Sequence, residues 1–250
     1  MWLKVPKDID KVVWEGPLEP ATDEAVQRLG QEWTARGLKV EVRDAVRDLP
    51  LVSIGQPEVW QLAEVYPPEK MPATLRAKQE EADFYLVRLA CSFRPARDDV
   101  KIEWARFLVH LMPDSAGQVT VAFDLYPLQI TQEVRHNVKV TLSPTLKFME
   151  VEASVGGVEF GFEYPELQPL VTAAGAGEAN PSWDYEEAKG MQIQGSRWMH
   201  LLVKAPKGMP SGFALLDLAA DVRLRGSLLP VLLRRERKEL ETHLTTQLWG

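Results

Sequence analysis

The sequence contains few of the residues from which covalent and metal-dependent sites are built. Among 250 residues there are one cysteine and four histidines. A single thiol, Cys91, cannot form an internal disulfide or assemble a cysteine-based zinc site. The histidines do not occur in the HxxxH, HxH or HExxH spacings of metal sites. His110 and His200 occupy similar places in two apolar runs, which is typical of structural histidines. We therefore predict no metal and no cofactor.

Motifs for nucleophilic catalysis and nucleotide binding are also missing. No GxSxG elbow occurs, and Cys91 lies inside the apolar run FYLVRLACSF, where a thiol behaves as a small hydrophobe. The glycine pair in AAGAGEAN, residues 173–180, lacks the third glycine of a dinucleotide-binding loop, and Pro181 follows it instead of a helix. We predict no catalytic residues, which favours a protein that is not an enzyme.

Long apolar runs and an excess of positive charge are absent as well. The opening sequence MWLKVPKDID has no long apolar stretch before a cleavage site, so no signal peptide is predicted. Four charges interrupt the most apolar window, GFALLDLAADVRLRGSLLPVLL, which is too many for a membrane span. The formal net charge of −7 argues against nucleic acid and anionic membranes as partners. We expect a cytoplasmic, reducing environment.

What the sequence does have is alternation of apolar and polar residues from Ala82 onward. In LLDLAADVRLRG one face holds Leu216, Leu218, Ala220, Val222 and Leu224. In VTVAFDLY one face holds Val119, Val121, Phe123 and Leu125. Turn signals such as PDSAG and PKGMPSG separate these runs. About eight such strands predict an antiparallel β-sandwich, mainly β and α+β overall.

The pattern changes along the chain and predicts three parts. Residues 1–80 read as a small α/β lead-in region, with a helix that begins after Thr22 and ends at Gly37. Residues 81–226 form the β-sandwich domain. Residues 227–250 form an amphipathic helix docked on the sandwich.

The predicted C-terminal helix has an apolar stripe along one side. The stripe consists of Leu233, Leu240, Leu244 and Leu248. An isolated helix of this length is marginal in water, so another surface must cover the stripe. We expect the same chain to cover it, and the alternative is a homo-oligomer formed through this helix.

The densest group of aromatic and acidic residues lies in NPSWDYEEAKGMQIQGSRW, residues 180–198. Its candidate ligand-binding residues are Trp183, Asp184, Glu186, Glu187 and Trp198. A strand, a loop and a second strand produce the same pattern without any ligand. Alternatively, the acids and tryptophans line a pocket like those of sugar-binding or glycoside-hydrolysing sites.

Together these observations predict a non-enzymatic intracellular binding module that recognises a protein partner, with no nucleic acid and no membrane involved. A carbohydrate-active enzyme or sugar-binding protein that uses residues 183–187 is one alternative. A membrane-active or pore-forming protein is another, because alternating strands also line transmembrane barrels.

Overall fold

The structure is a computed structural model of the chain. It describes residues 12–20, 23–37, 49–66, 71–97, 100–113, 117–132, 138–141, 170–188, 192–224, 231–234 and 245–250. Within these residues the chain forms fifteen strands and three helices, and the paired strands run antiparallel.

The strands in chain order are β1 Val12–Pro17, β2 Glu19–Pro20, β3 Leu51–Gly55, β4 Glu58–Gln61, β5 Ala82–Arg94, β6 Lys101–Met112, β7 Val121–Tyr126, β8 Gln129–Gln132, β9 Val138–Thr141, β10 Leu170–Ala174, β11 Ser182–Glu186, β12 Gly195–Pro206, β13 Gly212–Arg223, β14 Val231–Arg234 and β15 Thr245–Trp249. The helices are α1 Asp23–Ala35, α2 Leu62–Val65 and α3 Ala73–Lys78.

These strands form two sheets. The six-stranded sheet has the order β1-β3-β5-β12-β7, with β4 also paired to β5. The nine-stranded sheet has the order β2-β14-β13-β6-β11-β10-β8-β9, with β15 also paired to β13. The long central strands β5 and β12 of one sheet, and β6 and β13 of the other, carry the most extensive pairing.

The two sheets pack face to face around one hydrophobic core. From the six-stranded sheet, alternate residues of β5 enter this core: Tyr85, Val87, Leu89, Cys91 and Phe93. From the nine-stranded sheet, alternate residues of β13 enter it: Ala214, Leu216, Leu218, Ala220 and Val222. Because strand side chains alternate between faces, each sheet buries one side and turns the other outward. The predicted antiparallel β-sandwich is confirmed.

A β-bulge in β7 changes the faces that strict alternation predicts. Leu125 pairs with Leu201 and Ala122 pairs with Val203, so Phe123 is the extra residue between them. Leu125 and Ala122 therefore both face the core, although their sequence separation is odd. The prediction that Phe123 and Leu125 share a face is wrong for this reason.

Short helices cover part of the outer face of the six-stranded sheet. α2 and α3 enclose a second cluster of buried residues, consisting of Leu62, Tyr66, Met71, Leu75, Ala82, Phe84 and Leu202. The longer helix α1 confirms the helix predicted before Gly37, and its Trp33 is buried in the main core.

The predicted C-terminal helix is wrong at both of its ends. Leu233 lies in strand β14, which pairs with β13 at Ala219–Val222. Leu248 lies in strand β15 and is buried in the main core. The long edge of β13 offers backbone partners to both segments, and Thr245, Thr246 and Trp249 favour strands. Leu240 and Leu244 lie outside the described residues.

Strands from the first 80 residues pair with strands from later in the chain, since β3 and β4 pair with β5 and β2 pairs with β14. The division of the chain into parts 1–80, 81–226 and 227–250 stays a prediction. In the portion that the structure describes, no helix is long and apolar enough to cross a membrane.

Candidate functional site

Trp183, one of the candidate ligand-binding residues, lies on the core face of β11. Its side chain is fully buried, and it packs 6.5 Å from the Phe107 ring between ring centroids. The β11 register places Trp183 directly opposite Phe107 on β6. A side chain enclosed in this way offers no surface to a ligand in the folded protein.

The acids of β11 lie on the face of the strand opposite to that of Trp183. Asp184 lies on the outer face of the nine-stranded sheet, where Arg106 donates two hydrogen bonds to its carboxylate, at 2.6 and 2.8 Å. This bidentate pairing raises the pKa of Arg106. Glu186 is exposed, and Glu187 donates its backbone N–H to the Glu103 carbonyl at 2.8 Å. These acids do not line a common cleft with Trp183.

Trp198, the fifth predicted residue, lies on the other sheet. It belongs to β12, and its side chain is 51% exposed on the outer face of the six-stranded sheet. The structure therefore separates Trp198 from residues 183–187. Its contacts are with β5, where Ala90 is directly opposite and the Arg88 guanidinium lies over its ring.

These neighbours define a surface that we call the tryptophan platform. Antiparallel pairing aligns Glu58, Arg88, His200 and Tyr126 in one row across four strands. Directly opposed residues in a sheet share a face, so the row lies on one side. The platform consists of this row together with Trp60 and Trp198.

Arg88 organises the centre of the platform. Its guanidinium lies 4.9 Å from the centroid of the Trp198 ring and 5.6 Å from that of Trp60, within the range of cation–π attraction. The same guanidinium forms an ion pair with Glu58. The side chains of Arg88 and Glu58 are 23% and 6% exposed, so solvent screens this pair only weakly.

His200 is neutral at physiological pH. Burial and the nearby positive charge of Arg88 lower its pKa to about 4. Its ring centroid lies 5.8 Å from that of Tyr126. The platform therefore presents aromatic rings and one neutralised ion pair.

The other chemically interesting side chains do not form a reactive site. Burial raises the pKa of the Cys91 thiol to about 12, so this cysteine is a poor nucleophile. His110 lies on the nine-stranded sheet, where its Nδ1 is 2.8 Å from Asn180 Oδ1. It cannot approach His200, which lies on the other sheet. Within the described ranges, no three histidine, cysteine, aspartate or glutamate side chains form a metal-binding group.

Sequence reasoning missed Glu58, Trp60 and Arg88. Arg88 is the one charged residue within the apolar run YLVRLAC, and that isolation was the available signal. Glu58 lies thirty residues earlier in the chain, and only the pairing of β4 with β5 brings it to Arg88.

Comparisons with known proteins give only low structural similarity. No protein-family model and no curated protein matches the sequence. The delta-toxin of Clostridium perfringens is 8% identical, with a TM-score of 0.36, and the alignment covers 80% of this chain and 88% of that one. The membrane-inserted NetB toxin of the same organism is 10% identical with a TM-score of 0.32, covering 74% and 85%. A structure described as a pore forming protein has the same identity and TM-score, covering 75% and 81%. At these TM-scores the likeness carries no functional argument.

The ion pair of the platform leads to a prediction about stability. Glu58→Gln should lower the free energy of unfolding by about 2–3 kcal/mol, because the charge of Arg88 then stays largely buried without its partner. Urea unfolding followed by circular dichroism measures this. Glu15→Gln is the matched control: Glu15 pairs with Arg94 at 3.1 Å, both side chains are more than 40% exposed, and the expected change is below about 1 kcal/mol.

A second variant separates loss of the pair from damage to the fold. The double change Glu58→Gln with Arg88→Gln removes both charges, so it should be less destabilised than Glu58→Gln alone. If Glu58→Gln were as mild as Glu15→Gln, the ion pair would not anchor the platform.

Proposed function

We propose that this chain is a non-enzymatic binding protein that recognises its ligand through the tryptophan platform. The observation that carries the proposal is Trp198, a half-exposed aromatic side chain on a central strand. A tryptophan side chain has roughly 200 Å² of surface to bury. A ligand that covers the exposed half of Trp198 would therefore gain about 2–3 kcal/mol of binding free energy from apolar burial.

The arrangement of the platform supports binding because it is preorganised. Arg88 contacts both tryptophans, and Glu58 fixes Arg88 from its buried position. Side chains that are already held lose little entropy when a ligand binds. An aromatic surface whose side chains are already held in place therefore contributes more binding free energy than a surface of equal area with mobile side chains.

The sequence predicts a protein partner, and this remains compatible with the platform. Tryptophan, tyrosine and arginine are the residues that dominate binding energy at protein interfaces. The alternative of a carbohydrate-active enzyme or sugar-binding protein that uses residues 183–187 has less support, because Trp183 is buried and Asp184 is paired with Arg106.

A direct binding comparison tests the proposed function. Wild-type protein and Trp198→Ser are measured by biolayer interferometry against immobilised glycans, phosphatidylcholine vesicles and a phage-displayed peptide library. We expect one probe class to bind, and Trp198→Ser to weaken that binding about tenfold, or about 1.4 kcal/mol. Phe213→Ser is the control, since Phe213 is 39% exposed on the other sheet.

Two outcomes would contradict the proposal. Wild-type protein that binds no probe class would remove the binding function. If Trp198→Ser left binding intact and Phe213→Ser abolished it, the binding site would lie on the nine-stranded sheet instead.

Membrane activity is the second candidate, favoured by the edge of the nine-stranded sheet. Among the described strands, β9 ends the order of that sheet and pairs only with β8. The sequence of β9 alternates between apolar and polar residues, as strands of transmembrane barrels do, and the alternation returns in the sequence VEFGFEY at 158–164. Release of a trapped dye from liposomes would support this candidate, and intact liposomes at micromolar protein would oppose it.

A further inference from the structure

A row of small residues lies beside Trp198 on the platform side of the sheet. Ala90 on β5 is directly opposite Trp198 on β12. On the other side of Ala90 lies Gly55, where an added Cβ would be 3.2 Å from the Ala90 Cβ. We call these two residues the floor, and neither carries a side chain larger than a methyl group beside the exposed indole ring.

Polar groups border the floor on both sides along the strands. Ser92 lies two residues from Ala90 toward one end of β5, where it is opposite both Ser53 and Ser196. The Ser53 and Ser92 hydroxyl oxygens are 2.5 Å apart. Arg88 lies two residues from Ala90 toward the other end of β5. Each step of two residues spans about 6.6 Å along a strand, so the backbone positions of Ser92 and Arg88 lie about 13 Å apart, one on each side of the floor.

The charges around the floor are balanced. Arg88 is paired with Glu58, and Arg94, beyond the serine row, is paired with Glu15. An anionic ligand would have to compete with Glu58 for Arg88. A cationic ligand would meet the guanidinium that already lies near both indole rings. The surface therefore suits a neutral ligand.

The position of the floor within the sheet disfavours an extended peptide. β5 pairs with β12 on one side and with β3 and β4 on the other. Peptides that add to a sheet need an edge strand with unpaired backbone groups. A ligand on this floor has to bind by stacking and through side-chain hydrogen bonds.

We infer that the ligand of the tryptophan platform is a neutral sugar ring that stacks on Trp198 over the floor of Gly55 and Ala90. The ring's C–H bonds, which carry partial positive charge, face the negative face of the indole. Its hydroxyls reach the serine row and Arg88. The inference rests on the binding function proposed above and names its ligand class.

The test uses the full chain and a panel of immobilised neutral sugars: glucose, galactose, mannose and N-acetylhexosamine oligomers, with sialylated forms as charged counterparts. We expect at least one neutral sugar to bind, and we expect its sialylated form to bind no more tightly. Trp198→Ala should weaken this binding about tenfold or more, while Trp198→Phe retains part of it because a smaller ring still stacks.

A second variant tests the floor without removing the indole. Ala90→Leu fills the space beside Trp198 from an outward-facing position and should abolish sugar binding while the melting temperature stays near that of wild type. Phe213→Ala, on the other sheet, should leave binding unchanged. Sugar binding that survives both Trp198→Ala and Ala90→Leu would overturn the inference.

The outcomes also separate this inference from the proposed function. Trp198-dependent binding of a peptide or of phosphatidylcholine vesicles, without binding of any neutral sugar, would refute the sugar ligand and leave the binding function standing. Absence of binding to every probe would refute both.

Discussion

Replacing Trp183 by alanine is expected to lower the free energy of unfolding by about 3–5 kcal/mol, and not to act through ligand binding. The side chain is fully buried in the core between the sheets and packs against Phe107. Truncation of Trp183 to alanine removes the stabilisation that comes from burying a large apolar group, and it leaves a cavity that neighbouring side chains fill only in part. Urea unfolding followed by circular dichroism measures the change.

Trp183→Phe is the matched control. The indole Nε1 of Trp183 is buried and has no hydrogen-bond partner among the described residues. Phenylalanine removes this unpaired donor and keeps much of the packing, so the expected cost is below about 2 kcal/mol. If Trp183→Ala kept wild-type stability and lost sugar binding, Trp183 would belong to the ligand site after all.

The position of Trp183 shows what alternation in a sequence reveals and what it leaves undetermined. The alternation of aromatic and acidic residues in this segment predicts opposite faces for Trp183 and Asp184, and in the structure they lie on opposite faces of β11. Which face meets the core depends on strands distant in sequence. An aromatic residue beside acids therefore looks the same whether it lines a pocket or fills a core.

Regular strands were predictable because burial of one face enforces a period of two. The alternation of β13 was predicted correctly over Leu216–Val222, each second residue being buried. β7 departed from prediction because its bulge depends on pairing with β12, and pairing across a sheet leaves no local signal. The sequence predicts helix where β14 and β15 lie, because runs of four or five residues show no decisive period.

The tryptophan platform was predictable only in part. The sequence identifies Trp198 as a candidate residue, but it groups Trp198 with the acids nearest to it along the chain. Its structural partners, Arg88 and Glu58, are brought to it by the pairing of three strands. A sequence shows which residues are available for a site, whereas the register of the sheet decides which of them meet.

Trp249→Ala is expected to lower the free energy of unfolding by about 3–4 kcal/mol, because Trp249 joins the two sheets. Its ring stacks on Tyr85 with centroids 4.0 Å apart and planes 8° apart. Tyr85 belongs to the six-stranded sheet and Trp249 to the nine-stranded sheet. The Trp249 Nε1–H also donates to the Met209 carbonyl at 3.4 Å.

Gly212 provides the space for this ring, and a double-mutant cycle tests the contact. A Cβ at Gly212 would overlap the indole of Trp249, its partner on the adjacent strand. Gly212→Ala should therefore cost about 1–3 kcal/mol through overpacking. In the presence of Trp249→Ala the added methyl group has room, so the double variant should be less destabilised than the sum of the single variants by about 1–2 kcal/mol.

Phe213→Ala is the control for this cycle, since Phe213 is the next residue of β13 and points outward with 39% exposure. We expect it to cost less than about 1 kcal/mol and to add independently to Trp249→Ala. Circular dichroism is the appropriate signal, because the variants change the tryptophan content. Strict additivity between Gly212→Ala and Trp249→Ala would contradict the contact, since two residues that share one space must couple.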